Sequence, residues 1–316
     1  MTILFLGNIS NDYQEQLKKD YPSQTFIFCE DEKAIVENVQ KAELMVGAGN
    51  QITEQHIREA PHLKWIMTLS AGVDKLPHEL IAERGILVTN ARGVYKAPMA
   101  EYTISVLLQV YRHVKTLIEN ENNREWKKDF TIREISGRTM VVVGAGAIGQ
   151  EIARLAKAFS ITTYGVSRSG KKLEYFDENY TINELDDVLP KADFVVSVLP
   201  GTKETEGIFT TKQFKKMKSE AVFVNIGRGN SVRSMDLLTA IQQGDIAHAV
   251  LDVFEEEPLP SDHPFWTEER ITITPHLSAK SPRNTERVLD VFKQNLDKFV
   301  KGDVELINLV DIMRGY

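Results

Sequence analysis

The sequence predicts an α/β protein made of two doubly wound parallel-sheet domains, and three observations carry that expectation. Short β-branched runs alternate with helical patterns from the first residue, the signature of parallel α/β architecture. The 316 residues are long for one compact core. A G-x-G-x-x-G run, Gly144-Ala145-Gly146-Ala147-Ile148-Gly149, stands between a strand-like and a helix-like segment near the middle of the chain.

In the first series, strand-like runs fall near Ile3–Leu6, Thr25–Phe28, Leu44–Val46, Trp65–Thr68 and Ile86–Thr89. Helix-like stretches near Tyr13–Asp20, Asp31–Val39, Thr53–Ala60 and Pro77–Glu83 separate them, completing a small doubly wound domain. One long helix is expected from Pro98 to about Glu119, with proline in the first turn and Ala100, Ile104, Leu107 and Tyr111 near helical spacing. A second series follows at Met140–Val143, Thr162–Val166, Phe194–Val198, Val222–Asn225, Ala247–Leu251 and Ile271–Thr274. A last helix, about Pro282–Val300, is expected to return the chain to the first domain.

Composition narrows the classes of function. Hydrophobic residues at 42% and charged residues at 26% describe an ordinary globular chain, not a disordered one. The net charge of −7, without a block of lysines or arginines, argues against a nucleic-acid partner. The N-terminus has no basic leader, and no apolar stretch approaches the ~20 residues of a membrane span, so no membrane partner is expected. The single Cys29 lies in the strand-like run Phe26-Ile27-Phe28-Cys29 and reads as a core thiol, which suits a reducing cytoplasm. Metal ligation is not suggested, because there is one cysteine and no closely spaced histidine pair. Nor does Ser70 read as a nucleophile, since it lacks the glycine that a nucleophile elbow needs. His248 falls in a strand pattern and His113 on the long helix, while His56, His62, His78 and His263 read as surface residues.

Val141-Val142-Val143 leads into Gly144, Gly146 and Gly149, and helical periodicity then runs from Ala147 to Phe159. Glycines in that order permit a tight turn, close backbone approach to a pyrophosphate, and close helix-strand packing; the first N–H groups of the helix, at Ala147 and Ile148, face the anion. The arrangement points to a dinucleotide. At the end of the next strand, at the expected distance of about 20 residues, an acidic side chain would hold the ribose 2′-hydroxyl of NAD(H). Here Ser167-Arg168-Ser169 occupies that place, followed by Lys171 and Lys172. A 2′-phosphate is therefore accommodated, and NADP(H) is expected in preference to NAD(H), which stays possible.

Ligands of an open α/β sheet bind beyond the carboxyl ends of its strands, so polar residues just after late strands are candidates for chemistry. Three strand ends qualify: Asn225-Ile226-Gly227-Arg228-Gly229, the acidic run Asp252-Val253-Phe254-Glu255-Glu256-Glu257-Pro258, and Thr274-Pro275-His276. Taken singly, each has a plain reading as a turn arginine, a solvated acid or a strand-end histidine. Together they suit reduction of a 2-oxo acid. The arginine fork matches a substrate carboxylate, the histidine can protonate the oxygen that becomes an alkoxide, and a neighbouring carboxylate favours and orients the imidazolium.

These motifs resemble those of the D-isomer-specific 2-hydroxyacid dehydrogenases, a family that includes glyoxylate/hydroxypyruvate reductases and phosphoglycerate dehydrogenase, and the resemblance covers nearly the whole chain. It implies catalytic roles for Arg228, Glu257 and His276, selecting Glu257 over Glu255 and Glu256. It implies substrate-carboxylate binding at Ala71, Gly72 and Val73, and cofactor contacts at Leu199, Pro200 and Asp252 beside the residues of the glycine run and the Ser167–Ser169 turn. It also implies a Rossmann cofactor domain, residues 98–280, inserted in a discontinuous flavodoxin-like substrate domain, residues 1–97 and 281–316. The sequence departs from the family pattern at Val198, Arg233 and Leu277-Ser278-Ala279-Lys280, positions that bear on substrate identity. The implied activity is a mainly reductive, NAD(P)-dependent one on a small 2-oxo acid, in a homodimer whose interface includes Trp126. Two alternatives stay open: a dinucleotide-sensing, corepressor-like binding protein, and a formate- or phosphite-type dehydrogenase.

Overall fold

The computed structural model describes residues 1–314, which divide into two compact units, Met1–Tyr95 with the chain from Ser281 on, and Lys96–Lys280. In the first unit, strands β1 (Thr2–Leu6), β2 (Thr25–Cys29), β3 (Leu44–Gly47), β4 (Trp65–Thr68) and β5 (Leu87–Thr89) form one sheet in the order β2-β1-β3-β4-β5, all parallel. That order is flavodoxin-like, and it reverses direction between β1 and β3. Helices α1 (Asn11–Asp20), α2 (Glu32–Asn38), α3 (Glu54–Glu59) and α4 (His78–Glu83) make the crossovers. Their starts are set by local chemistry: Asp31 accepts the Ala34 N–H over 2.8 Å, and Thr53 with His56 forms a capping box.

Every residue of β3 and β4 is buried, as a parallel sheet covered on both faces requires. Cys29 is buried as expected and free. His56 is not the surface residue its polar neighbours suggested: only 1% exposed, it sits with Nε2 2.8 Å from Glu32 and Nδ1 3.1 Å from the Gln51 carbonyl. Glu32 and the Gln51 carbonyl satisfy both ring nitrogens and so remove the cost of burying the ring.

The second unit begins with two helices where the sequence predicts one. Instead of one helix to Glu119, α5 (Lys96–Tyr111) and α6 (Val114–Asn122) are separated at His113, whose φ of 52° is left-handed. The ring of His113 holds this uncommon backbone in place, with Nε2 3.0 Å from the Thr131 carbonyl and the ring packed near Phe130. Strands β6 (Thr139–Val143), β7 (Thr162–Ser167), β8 (Glu178–Thr181), β9 (Phe194–Ser197), β10 (Val222–Asn225), β11 (His248–Leu251) and β12 (Ile271–Ile273) form a parallel sheet ordered β12-β11-β10-β9-β6-β7-β8. This is the Rossmann order with one added strand, reversing between β6 and β9. Helices α7 (Ala147–Ala158), α8 (Leu185–Val188), α9 (Thr211–Phe214) and α10 (Ser234–Gln243) connect the strands, and α10 stops at Gly244 in the left-handed conformation. Strand β8 was not foreseen. Its Glu-Asn-Tyr-Thr sequence lacks a β-branched run, and as an edge strand with no fully buried residue it needs none.

The chain then re-enters the first unit as α11 (Asn284–Val300). Phe292 packs edge-on to Phe5 at 5.3 Å between ring centroids and stacks on Trp65 at 6.1 Å. The buried Trp65 indole donates to Thr89 Oγ1 over 2.9 Å, so its one polar atom is satisfied. Among the described residues no helix is long and apolar enough to cross a membrane.

Candidate active site

The glycine turn lies at the carboxyl end of β6, beside the point where the strand order reverses. Gly144 has φ +105°, and a Cβ there would stand 2.6 Å from the Val198 carbonyl oxygen, so the turn presses against the loop after β9. At Gly149 a Cβ would meet the Gly144 oxygen at 2.6 Å, which is the close helix-strand contact expected of the third glycine. Gly146 differs, because a Cβ at that position would meet nothing within 4 Å. It is also the N-cap of α7, with no side chain to bond the first-turn N–H groups around Ala147 and Ile148. Open space in front of unspent helix N–H donors fits a pyrophosphate. Ser167 ends β7, and Arg168 and Ser169 turn away from it, with the Gly170 N–H donated to Ser167 Oγ over 3.2 Å. Leu199 and Pro200 follow β9.

Adjacent strands β10, β11 and β12 each end in a loop carrying one of the three chemical candidates. Glycine explains how the first two loops come so close. A Cβ on Gly229 would stand 1.9 Å from the Phe254 carbonyl, and one on Gly227 would stand 2.5 Å from the Leu199 oxygen. Arg228 is thus held between backbones on both sides, with its Nη1 3.0 Å from the Gly227 carbonyl.

Of the acidic run after β11, Glu257 is the residue that reaches the histidine. Its Oε2 lies 2.7 Å from His276 Nδ1, while its Oε1 accepts the Phe254 N–H over 3.0 Å. Glu255 instead accepts the Ser234 N–H over 2.7 Å. A carboxylate accepts, so Nδ1 carries hydrogen and Nε2 is left as the second proton site of the ring.

His276 has φ 49°, a left-handed backbone for a side chain with a Cβ. The neighbouring Asp252 over-determines that conformation. Wholly buried, its main-chain oxygen accepts the His276 N–H over 2.9 Å, and its carboxylate accepts the N–H groups of Leu277 over 2.9 Å and Ser278 over 2.8 Å. Thr274 adds its hydroxyl to the same carboxylate over 2.5 Å. Since that spends the only proton of Thr274, the Tyr102 phenol 2.6 Å away must be donor to Thr274. Burial first, and the charge of Asp252 after it, push the Tyr102 phenol up to about 12, which keeps it a donor. Sequence reading placed Asp252 beside the cofactor and missed Tyr102 and the Thr274 hydroxyl. Only the T-P-H motif, with a hydroxyl two residues before the histidine, hinted at them.

In the other unit, the turn at Ala71, Gly72 and Val73 follows β4. Its carbonyls are tied down: Asn90 Nδ2 donates to Ala71 over 2.7 Å, Ser70 Oγ to Gly72 over 2.7 Å, and His78 Nε2 lies 2.8 Å from the Val73 oxygen. Among the described residues, the N–H groups of Gly72 and Val73 have no acceptor.

Residues 104–278 match the profile of the D-isomer specific 2-hydroxyacid dehydrogenase NAD-binding domain. The chain belongs to this family. A glyoxylate reductase of Pyrococcus furiosus is 32% identical over 85% of this chain and 83% of its own. Among solved structures, a D-isomer specific 2-hydroxyacid dehydrogenase family protein from Aeromonas salmonicida superposes with a TM-score of 0.90 at 34% identity, covering 98% of this chain and 99% of that one. An NADPH-dependent glyoxylate/hydroxypyruvate reductase of Sinorhizobium meliloti, in complex with NADP and sulfate, superposes with a TM-score of 0.84 at 27% identity over 100% and 99% of the two chains. As a 2-hydroxyacid dehydrogenase, the protein is an NAD(P)-dependent oxidoreductase, and its glycine turn fits the nicotinamide dinucleotide that the family uses.

Proposed function

We propose that this 2-hydroxyacid dehydrogenase works in the cytoplasm mainly as a reductase of small 2-oxo acids, with NADPH preferred over NADH. The observation that carries the reading is the 2.7 Å contact between Glu257 and His276 at the ends of β11 and β12, the two strands next in the sheet after β10, which delivers Arg228. A bound nicotinamide supplies the hydride. His276 Nε2 delivers the proton to the carbonyl oxygen as it becomes an alkoxide. Glu257 accepts the Nδ1 hydrogen and so fixes the tautomer and orientation of the ring. Arg228 takes the substrate carboxylate in its planar fork and polarises the adjacent carbonyl. Formate oxidation transfers no proton to a carbonyl oxygen, so a histidine-glutamate pair has no task there.

A panel from glyoxylate and hydroxypyruvate to branched and aromatic 2-oxo acids, assayed separately with NADPH and NADH, tests the reading. Reduction of the small members is expected. Tight dinucleotide binding with no turnover on any 2-oxo acid would point to the sensing role instead.

The reading extends to a homodimer, supported by Leu117 at 42%, Ile118 at 51% and Trp126 at 90% exposure, apolar surface that water disfavours. Sedimentation at micromolar concentration tests it, and a fully active monomer would refute it.

A further inference from the structure

Arg168 already holds an anion. Its Nη2 lies 2.5 Å from Glu204 Oε2, and both side chains are more than half exposed. Glu204 sits in the turn after β9, which is fixed by Thr205 Oγ1 donating to the Pro200 carbonyl over 2.5 Å and by the Glu206 N–H on the Thr202 carbonyl over 3.1 Å. Strands β7 and β9 flank β6 on opposite sides. The ion pair therefore joins the two loops that border the glycine turn.

We propose that Glu204 sets the cofactor specificity of the enzyme, by competing with the 2′-phosphate of NADP(H) for the Arg168 guanidinium. The proposal rests on the reading of Arg168 as the 2′-phosphate ligand. An ion pair this exposed contributes little to the stability of the fold, so its members exchange partners at small cost. A phosphate monoester carries about −1.5 to −2 charges near neutrality and outcompetes a single carboxylate. To reach Arg168 it must displace Glu204 or lie beside it, and either course weakens binding of the phosphorylated dinucleotide. NADH brings only neutral hydroxyls to the same place and escapes the competition. The enzyme thus prefers NADPH by less than Arg168 alone would allow, and keeps a usable affinity for NADH.

Calorimetric titration of the ligand-free protein with NADPH, NADH and the fragment 2′,5′-ADP tests this without turnover. Glu204→Gln keeps the shape and removes the charge. It is expected to tighten NADPH and 2′,5′-ADP by about three- to tenfold, as loss of one unit repulsion a few ångströms away in water implies. NADH should change less than twofold, and the gain should shrink in 0.5 M salt, where charges a few ångströms apart are screened. An unchanged or weakened NADPH affinity in Glu204→Gln overturns the proposal, as does equal tightening of both cofactors. Arg168→Ala separates the two layers of argument. If it weakens NADPH selectively while Glu204→Gln does nothing, the competition fails and the Arg168 reading stands; if it weakens NADPH and NADH alike, both fall together.

Discussion

Asp252 accepts the backbone N–H of Ser278 over 2.8 Å, and through that bond and two others a buried carboxylate holds the loop that carries His276. Asp252→Asn replaces one accepting oxygen by a donor, facing groups that also donate. Each lost bond to the charged group costs about 1.5–3 kcal/mol, so urea denaturation should show at least about 2 kcal/mol of lost stability. Turnover should fall with it, because the left-handed backbone at His276 loses its restraint. Full activity with an unchanged urea midpoint would show that the loop holds itself.

For the acid/base pair, His276→Ala is expected to lower turnover by about 10²- to 10⁴-fold with little change in the cofactor dissociation constant. Glu257→Gln removes the charged acceptor that fixes the ring of His276 over 2.7 Å, so turnover should fall with the cofactor dissociation constant unchanged. Turnover equal to wild type in Glu257→Gln would separate the two residues functionally.

Arg228→Lys should raise the Michaelis constant for the 2-oxo acid and leave cofactor binding unchanged, since an ammonium cannot reproduce the two-pronged contact. Equal loss for oxo acid and cofactor would mean that the arginine serves the loop and not the substrate.

Gly229→Ala forces a methyl to within 1.9 Å of the Phe254 carbonyl, and no flexible side chain stands there to yield. The loops after β10 and β11 must then separate, at a cost of about 1–3 kcal/mol or more. Thermal unfolding and activity should both suffer, whereas Gly244→Ala, with no atom within 4 Å but φ +76°, should cost only the smaller backbone term.

Much of this was legible in sequence, because strand-end chemistry is local. Val141-Val142-Val143 announces β6, the three glycines announce their turn, and Glu257 and His276 follow apolar runs that end as strands β11 and β12. What sequence did not carry depends on partners far along the chain. His56 looks solvated until Glu32 is brought to it, and Arg168 looks like an open phosphate ligand until the β9 loop brings Glu204. The same holds for Tyr102 on Thr274, 172 residues apart. The break at His113 has no proline or glycine to mark it, only a ring whose acceptor at Thr131 is set by folding.

Protonation of His248 supplies a prediction on stability. Its ring, with Nε2 2.9 Å from Thr272 Oγ1, is pushed down to about 4, chiefly by burial and then by the charges of Lys115, His113 and Arg270, against a smaller opposing effect of Glu268. Unfolded, it titrates near 6.5. Between these values the unfolded chain binds a proton that the folded one refuses, so stability is unaffected above about pH 6.5 and falls as pH drops toward 4. The loss is at most about 3 kcal/mol. His248→Gln should flatten this part of the stability profile measured by urea titration, and an equally steep profile in the variant would assign it to other groups.

Both arms of the first unit bear on the order in which a nascent chain matures. Residues 96–280 are contiguous, so every strand of the seven-stranded sheet has been synthesised before α11 is made. The five-stranded sheet is translated first, yet one face of it, at Phe5 and Trp65, stays uncovered until Phe292 arrives. The half of the molecule that is synthesised earliest is therefore the half that is finished last, and it is the one exposed to chaperones and proteases in the interval.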